Sequence, residues 1–384
     1  MEFSGKDITL LGSAYSRYGD HAFGIRLKDR LSHFYIIGQT GTGKSTFLRN
    51  LAEQDADSGH GFCLIDPHGD LARALHQDLR RQHIYWEVAD PNCGYGYNPI
   101  SRVSETLRPL ISSGLIDALK KQWSDAWGVR MEHLLRYAIL ALLEQPRTDL
   151  RDIVRLFIDR DFQRLVVSHI TDEQVRYFWR EEYAAMSYKT AVDGVAPIAN
   201  KLGAFLAHPL VRTAVCEPRT PLRFRKIIDS GDILIVNLAK GLLGSDIANV
   251  LGGLISASIM NAAFTRHSQP EANRRPFMLY VDEFHSFTTS AFASMLAEVR
   301  KYGLGVTLAQ QHIVQAERPV FEAIMGNVGS ILAFRVGALD APTLCTQLGT
   351  QSPSDLTNLP NYRALMQLMV DGEKTKPFTV TTWA

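Results

Sequence analysis

Residues able to grip a triphosphate lie early in the chain. Gly38-Gln39-Thr40-Gly41-Thr42-Gly43-Lys44-Ser45 matches the phosphate-loop pattern G-x-x-x-x-G-K-[ST], and Thr46 follows it. Glycine at 38, 41 and 43 lets the backbone turn tightly and aim its N–H groups inward, so the loop and the helix start form an anion nest. Lys44 is placed to reach β- and γ-phosphates, and the Ser45 hydroxyl to hold Mg²⁺. The expected nucleotide contacts are Gly38, Thr40, Gly41, Thr42, Gly43, Lys44, Ser45 and Thr46.

A second set of candidates lies far along the chain. Met278-Leu279-Tyr280-Val281 is an apolar run ending in two carboxylates, Asp282 and Glu283. At the C-terminal edge of a sheet, Asp282 can face the Mg²⁺ while Glu283 polarises an attacking water. The helical pattern Ala291–Tyr302 ends in Arg300 and Lys301 before Gly303. Arg300 there is either a cation complementing the helix dipole or a finger reaching a neighbour's γ-phosphate. The strand pattern Gly305–Ala309 delivers Gln310-Gln311-His312, and Gln311 is the preferred γ-phosphate sensor. Arg335, late on the pattern Ile331–Val336, is a second finger candidate, with a structural ion pair as its other reading. Asp66, His68 and Asp70 cluster in a D-P-H-G-D turn whose spacing alone does not establish a metal site.

These residues need a sheet to bring them together. Phe34–Ile37, Phe62–Ile65 and Ile84–Val88 read as short buried strands alternating with helices, the pattern of a parallel sheet covered on both faces. From about Ser104 to Val215 nearly every segment has helical period, with Leu134, Leu135, Ala138, Ile139 and Leu142 forming one stripe. The expected organisation is a core of residues 1–103 and 216–384, interrupted by an all-α domain at 104–215. Residues 1–32 form a short leader in this reading, with a strand pair carrying Phe23-Gly24-Ile25. The core resumes at Ile233–Leu238, and a hairpin at Ala364–Thr382 turns at Asp371-Gly372.

Composition narrows the partners. The chain has 384 residues, 46% hydrophobic and 21% charged, with a net charge of +1, so any nucleic-acid contact must be local rather than spread over a basic surface. Its four cysteines form no C-x-x-C pair, which argues against a zinc site or disulfide framework. The most apolar stretch, Ile247–Phe264, carries Asn249, Gly252, Gly253 and Asn261, which suit a helix packed closely under a sheet better than a membrane span.

The ordered series of motifs resembles the HerA–FtsK group of ring-forming DNA translocases, and within it the coupling proteins of type IV secretion. It comprises GQTGTGKST at 38–46, LIDPHGDL at 64–71, YNPI at 97–100, ILIVNLAKG at 233–241, YVDEFHSF at 280–287, AEVRKYGLGVTLAQQ at 297–311 and NVGSILAFRVGALDA at 327–341. The resemblance implies a RecA-like α/β P-loop ATPase core with an inserted helical domain, and places the Gln311 strand between the phosphate-loop and Asp282 strands. It implies ATP and Mg²⁺ as cofactors, with Lys44, Ser45, Asp282, Glu283, Arg300 and Gln311 at the phosphate, Mg²⁺, water-activating, finger and sensor positions. It further implies DNA as partner, a homo-oligomer of six, and relaxase or secretion proteins meeting the helical insertion. Coupling proteins usually carry N-terminal membrane helices, which this sequence lacks, so a cytoplasmic ATPase recruited to the inner membrane by a partner is the expectation. A HerA-like repair translocase working with a nuclease and a substrate-docking adaptor are the alternatives.

Overall fold

Phe34–Ile37 is a four-residue run with no charged side chain, and in the computed structural model all four residues are buried. The structure describes residues 7–16, 19–350 and 352–383; the first six residues of the expected leader lie outside them. The strands in chain order are β1 (Ile8–Ser16), β2 (Gly19–Arg26), β3 (Phe34–Ile37), β4 (Gly61–Asp66), β5 (Ile84–Glu87), β6 (Tyr95–Gly96), β7 (Thr220–Pro221) and β8 (Ile233–Asn237). They continue with β9 (Phe277–Val281), β10 (Leu304–Gln310), β11 (Ser330–Ala333), β12 (Arg363–Gln367), β13 (Met369–Val370), β14 (Glu373–Lys374) and β15 (Phe378–Thr381).

The chain divides into two compact units. The first comprises residues 1–86, 224–238 and 262–384. Its sheet runs β2-β1-β15-β12-β11-β3-β10-β9-β4-β8-β5. Strands β11, β3, β10, β9, β4 and β8 run parallel to one another, and β11 meets β12 antiparallel. Each of these parallel strands is buried along its whole length, as continuous apolar runs require when helices cover both faces. β10 lies between β3 and β9, with Gln310 opposite Ile37 and Leu308 opposite Val281, so three strands end at one edge.

The expected leader is instead the antiparallel margin of this sheet. β2 pairs with β1, β1 with β15, and β15 with β12. The C-terminal hairpin is nested: β12 and β15 pair within the large sheet, while β13 and β14 close at Asp371 (φ 52°) and Gly372 (φ 89°).

Two buried polar contacts fix the other end of β3. The Arg30 guanidinium pairs with Asp55 at 2.5 Å and donates to the Tyr280 hydroxyl at 2.6 Å, tying the turn before β3 to the helix Lys44–Asp57 and to β9. Burial disfavours charge on Asp55, yet Arg30 outweighs it and holds that carboxyl below the usual range. His33 Nε2 lies 2.8 Å from the Leu296 carbonyl, and its Nδ1 accepts from the Val306 amide at 3.1 Å, so the ring is neutral with its proton on Nε2. Burial, with some help from the Arg300 charge, pushes His33 down to about 4.

The second unit comprises residues 87–223 and 239–261, more than the expected insertion at 104–215. It is mostly helical, with one small parallel pair, β6 and β7. The helix Leu150–Ile158 starts one residue later than a Thr148 cap would place it. The Asp149 carboxylate accepts the Arg151 amide, and Asp152 closes a capping box, whereas Thr148 donates to the Leu142 carbonyl. The apolar helix Ser245–Phe264 comes close to the helix Arg108–Gln122. A Cβ on Gly114 of the helix Arg108–Gln122 would lie 2.9 Å from Asn261 and 3.7 Å from Ala257. By length and composition Ser245–Ser268 could cross a membrane, but 72% of its apolar window is buried inside the protein.

The neutral His33 gives the fold an acid sensitivity. Its folded value lies below the ordinary 6.5, so the unfolded chain binds the proton first and stability is lost as pH falls from about 6.5 towards 4. Relative to His33→Asn, which tolerates the left-handed backbone at this position (φ 68°), wild type should lose roughly 2–3 kcal/mol more between pH 7 and 4.5 in urea titrations. Parallel pH profiles would show that His33 does not carry this term.

Candidate active site

The parallel edge places the phosphate loop in a cradle of other strands. The Gly38 amide donates to the Gln310 carbonyl at 3.3 Å and the Gln39 amide to the Arg335 carbonyl at 2.9 Å, so β10 and the exit of β11 hold the loop's entry. Gly38 has no room for a side chain, because a Cβ would lie 2.6 Å from that of Phe334. Gly41 (φ 76°) and Gly43 (φ 118°) take the left-handed conformations that turn the loop into the helix Lys44–Asp57. Thr42 Oγ1 donates to the Gln39 carbonyl at 2.7 Å and stiffens the turn, while Thr40 and Ser45 are exposed on its rim and Thr46 is half-buried.

Lys44 is buried, and its ammonium donates to the Gly38 and Gln39 carbonyls at 2.5 and 3.0 Å. Burial lowers its pKa, while Asp282 and Glu283 oppose that shift, which brings these carboxylates into electrostatic reach of the loop. Asp282 and Glu283 are themselves buried just past β9. Burial first, then the neighbouring charges of Asp66 and Glu283, raises Asp282 to about 7.

Glu283 is held from several sides. Its amide donates to Asp282 Oδ1 at 3.0 Å, and its Oε2 lies 3.4 Å from His285 Nδ1. Gln311, one residue beyond β10, donates from Nε2 to Glu283 Oε1 at 2.6 Å. The Gln311 Oε1 accepts from the Thr40 hydroxyl at 2.9 Å. One glutamine thus bridges the phosphate loop and the carboxylate suited to take a proton from water. Its neighbour Gln310 points into the core and donates to the Tyr35 hydroxyl at 2.6 Å.

Other candidates fall elsewhere. Asp66 makes a turn: its two oxygens accept the His68 and Ala72 amides, each at 2.9 Å. Among the described residues no group of three or more His, Cys, Asp or Glu side chains converges as a metal site. The Asp282 carboxylate and Ser45 hydroxyl are nonetheless the hard oxygen donors that suit Mg²⁺, which takes few protein ligands and completes its shell with phosphate and water. Arg335 is tied down, donating to the Leu359 carbonyl and to Asn361 Oδ1 at 3.0 Å each and to Gln39 Oε1 at 3.4 Å. It braces the loop, and that role gives no support to a finger. Arg300 is exposed in the turn that precedes β10. Seven residues of strand separate that turn from the edge carrying Gln311, roughly 23 Å at ~3.3 Å per residue. The structure therefore does not bring Arg300 to its own chain's phosphate loop.

Asp66, read from the sequence as part of a turn, also adds negative charge beside Asp282 from the end of an adjacent parallel strand. One contributor was missed. Tyr362 donates its amide to the Thr42 carbonyl at 2.9 Å, and the short run Pro360-Asn361-Tyr362 gives no warning of it.

A family model described as the central domain of helicase HerA matches residues 18–256. No curated protein matches the chain at a significant level. Among solved structures, the bacterial conjugative coupling protein TrwBdeltaN70, unbound, is 18% identical with a TM-score of 0.67, covering 94% of this chain and 87% of that one. TrwB in complex with ADP and Mg²⁺ is 18% identical with a TM-score of 0.69, covering 100% and 97%. VirB4 of Thermoanaerobacter pseudethanolicus is 15% identical with the same TM-score and coverage. These likenesses establish the fold, that of P-loop ATPases.

The raised Asp282 yields a measurable signature in Mg²⁺-free protein. Between its ordinary value of 3.8 and about 7 the folded state holds a proton that the unfolded chain has lost, so this contribution to stability falls as pH rises through that window. Asp282→Asn should flatten the fall in thermal midpoint from pH 5 to 7.5. An unchanged slope would show that Asp282 is ionised throughout.

Proposed function

Because the chain belongs to the HerA helicase central-domain family, whose model matches well over half of it, we propose that it hydrolyses ATP with Mg²⁺ to move DNA through a ring of identical subunits. The observation that carries the hydrolytic part is the Thr40–Gln311–Glu283 bridge, which couples the phosphate loop to a buried base. Lys44 and the loop amides bind the β- and γ-phosphates, exchanging carbonyl contacts for charged oxygens. Glu283 accepts the proton of the attacking water, and Gln311 keeps that carboxylate aimed at the γ-phosphate side of the loop. Bound Mg²⁺ would supply positive charge to the phosphate oxygens, with Asp282 and Ser45 holding it. DNA as cargo rests on the family and on the fold shared with a conjugative coupling protein, so conjugative transfer or secretion is the setting favoured. With a net charge of +1, DNA contacts would be local and strongly weakened by salt.

ATPase assays without DNA, with single strands and with duplex test the whole proposal. Turnover should rise with at least one DNA form. Glu283→Gln should keep ATP affinity and lose ~10²-fold or more of turnover, and Lys44→Ala should lose both. Turnover indifferent to DNA, together with no DNA binding at low salt, would favour a docking adaptor.

The exposed Arg300, about one strand length from its own phosphate loop, is free to serve a neighbour. Head-to-tail packing of this kind closes into a ring when the rotation permits, and six subunits are proposed from the family resemblance. Arg300→Ala should cut turnover by ~10³-fold or more with ATP binding intact. Mixed Arg300→Ala and Glu283→Gln subunits should regain part of it, since some interfaces combine a wild-type finger with a wild-type base. Co-assembled mixtures that regain nothing would leave Arg300 a helix-end cation.

A further inference from the structure

The phosphate loop has a second layer of support that none of the catalytic roles uses. Leu359–Tyr362 is laced to it: Arg335 donates to the Leu359 carbonyl and to Asn361 Oδ1, and the Tyr362 amide donates to the Thr42 carbonyl. From behind, the Tyr362 carbonyl accepts the Thr382 amide at 2.8 Å and its hydroxyl at 3.1 Å. These bonds hold Tyr362 in a left-handed backbone conformation (φ 64°) that a bulky residue adopts only when its surroundings impose it. Its ring is fixed against Gly43, where an added Cβ would lie 3.0 Å from Tyr362 Cδ1 and 3.3 Å from Phe334 Cε1. Phe334 is fully buried, whereas Tyr362 is only half-buried.

We infer that Tyr362 is the nucleobase platform of this site, a specificity element that stacks the purine of the bound nucleotide. The inference rests on the proposed nucleotide site. Gly43 immediately precedes Lys44 at the start of the helix whose amides face the phosphates, so a ring packed on it flanks the bound triphosphate. The nucleoside must leave the loop along its rim, and Tyr362 is a rigid, partly exposed aromatic already bonded there. Stacking accepts any purine face, so the platform selects a nucleoside over bare polyphosphate and discriminates little between adenine and guanine.

Calorimetric titration with Mg-ATP, Mg-GTP and Mg-tripolyphosphate tests this. Tyr362→Ala should weaken ATP and GTP by roughly 10- to 100-fold and leave tripolyphosphate within about twofold. Tyr362→Phe should retain both affinities, while Tyr362→Leu, which fills the space without an aromatic face, should behave like Tyr362→Ala. Should the alanine variant fail to fold, the Phe and Leu pair decides the question alone. An equal loss for ATP and tripolyphosphate would make Tyr362 a mere brace of the loop, and undiminished ATP binding would remove it from the site. Wild-type protein that binds tripolyphosphate but gains nothing from the nucleoside overturns the platform alone. Wild-type protein that binds neither overturns the nucleotide site with it.

Discussion

Three carboxylates and one ammonium share the buried edge of the parallel sheet, and the arrangement around them follows from that imbalance. Asp66, Asp282, Glu283 and Lys44 are all buried, where like charges repel far more strongly than in water. Each acid is settled differently. Asp66 is satisfied by two backbone amides, Glu283 by Gln311 and His285, and Asp282 by rising towards a protonated state. Lys44 alone cannot neutralise three acids, so the site favours a further cation such as Mg²⁺.

This charge cluster exists only because the strands end together. One residue of slip between β10 and β9 would turn Gln311 into the core and expose Gln310 in its place. The register is pinned at the opposite end by groups remote from the chemistry. His33 bonds both the segment before β10 and β10 itself, and Arg30 links the turn before β3 to the phosphate-loop helix and β9. Breaking the Arg30–Asp55 pair by removing one partner would strand a buried charge, typically ~3–5 kcal/mol of stability. The loop's precision is thus maintained by polar contacts several strand residues away.

The convergence of the candidate site was legible because each of its residues combines a motif with a strand end. Phosphate loop, acidic pair and Gln311 all sit where an apolar run stops, and the parallel sheet converts that shared position into proximity. What was not legible depends on contacts between segments distant in sequence. The strand pair before residue 27 reads as a leader because its partner, β15, lies at the other end of the chain, with Ser13 opposite Thr381. Arg335 reads equally as finger or brace until Leu359 and Asn361 are seen to occupy its guanidinium. The helix Ser245–Phe264 has the composition of tight packing, but its close approach to Gly114 is not written in the local sequence. The extent of the second unit, reaching to 87, 223 and 239–261, was hidden because no composition shift marks those points.

Backbone strain follows the same geography. Among the described residues five non-glycine residues adopt positive φ: His33, Ala239, Glu283, Tyr362 and Asp371. Asp371 lies in a hairpin turn, where such angles are ordinary. Two of the remaining four flank the site, Glu283 at the end of β9 and Tyr362 against the loop, while His33 sits at the far end of β3. Each costs roughly 1–2 kcal/mol and persists because neighbours over-determine it. For Glu283 those neighbours are the Asp282 carboxylate on its amide, the Ser286 amide on its carbonyl and Gln311 on its side chain. The left-handed turn swings the residue after a strand out of the alternating pattern, so two adjacent acids can both face the phosphate loop. An ordinary extended strand would have sent one of them to the opposite face of the sheet. The strain at Glu283 is therefore what allows two sequence neighbours to face the loop together.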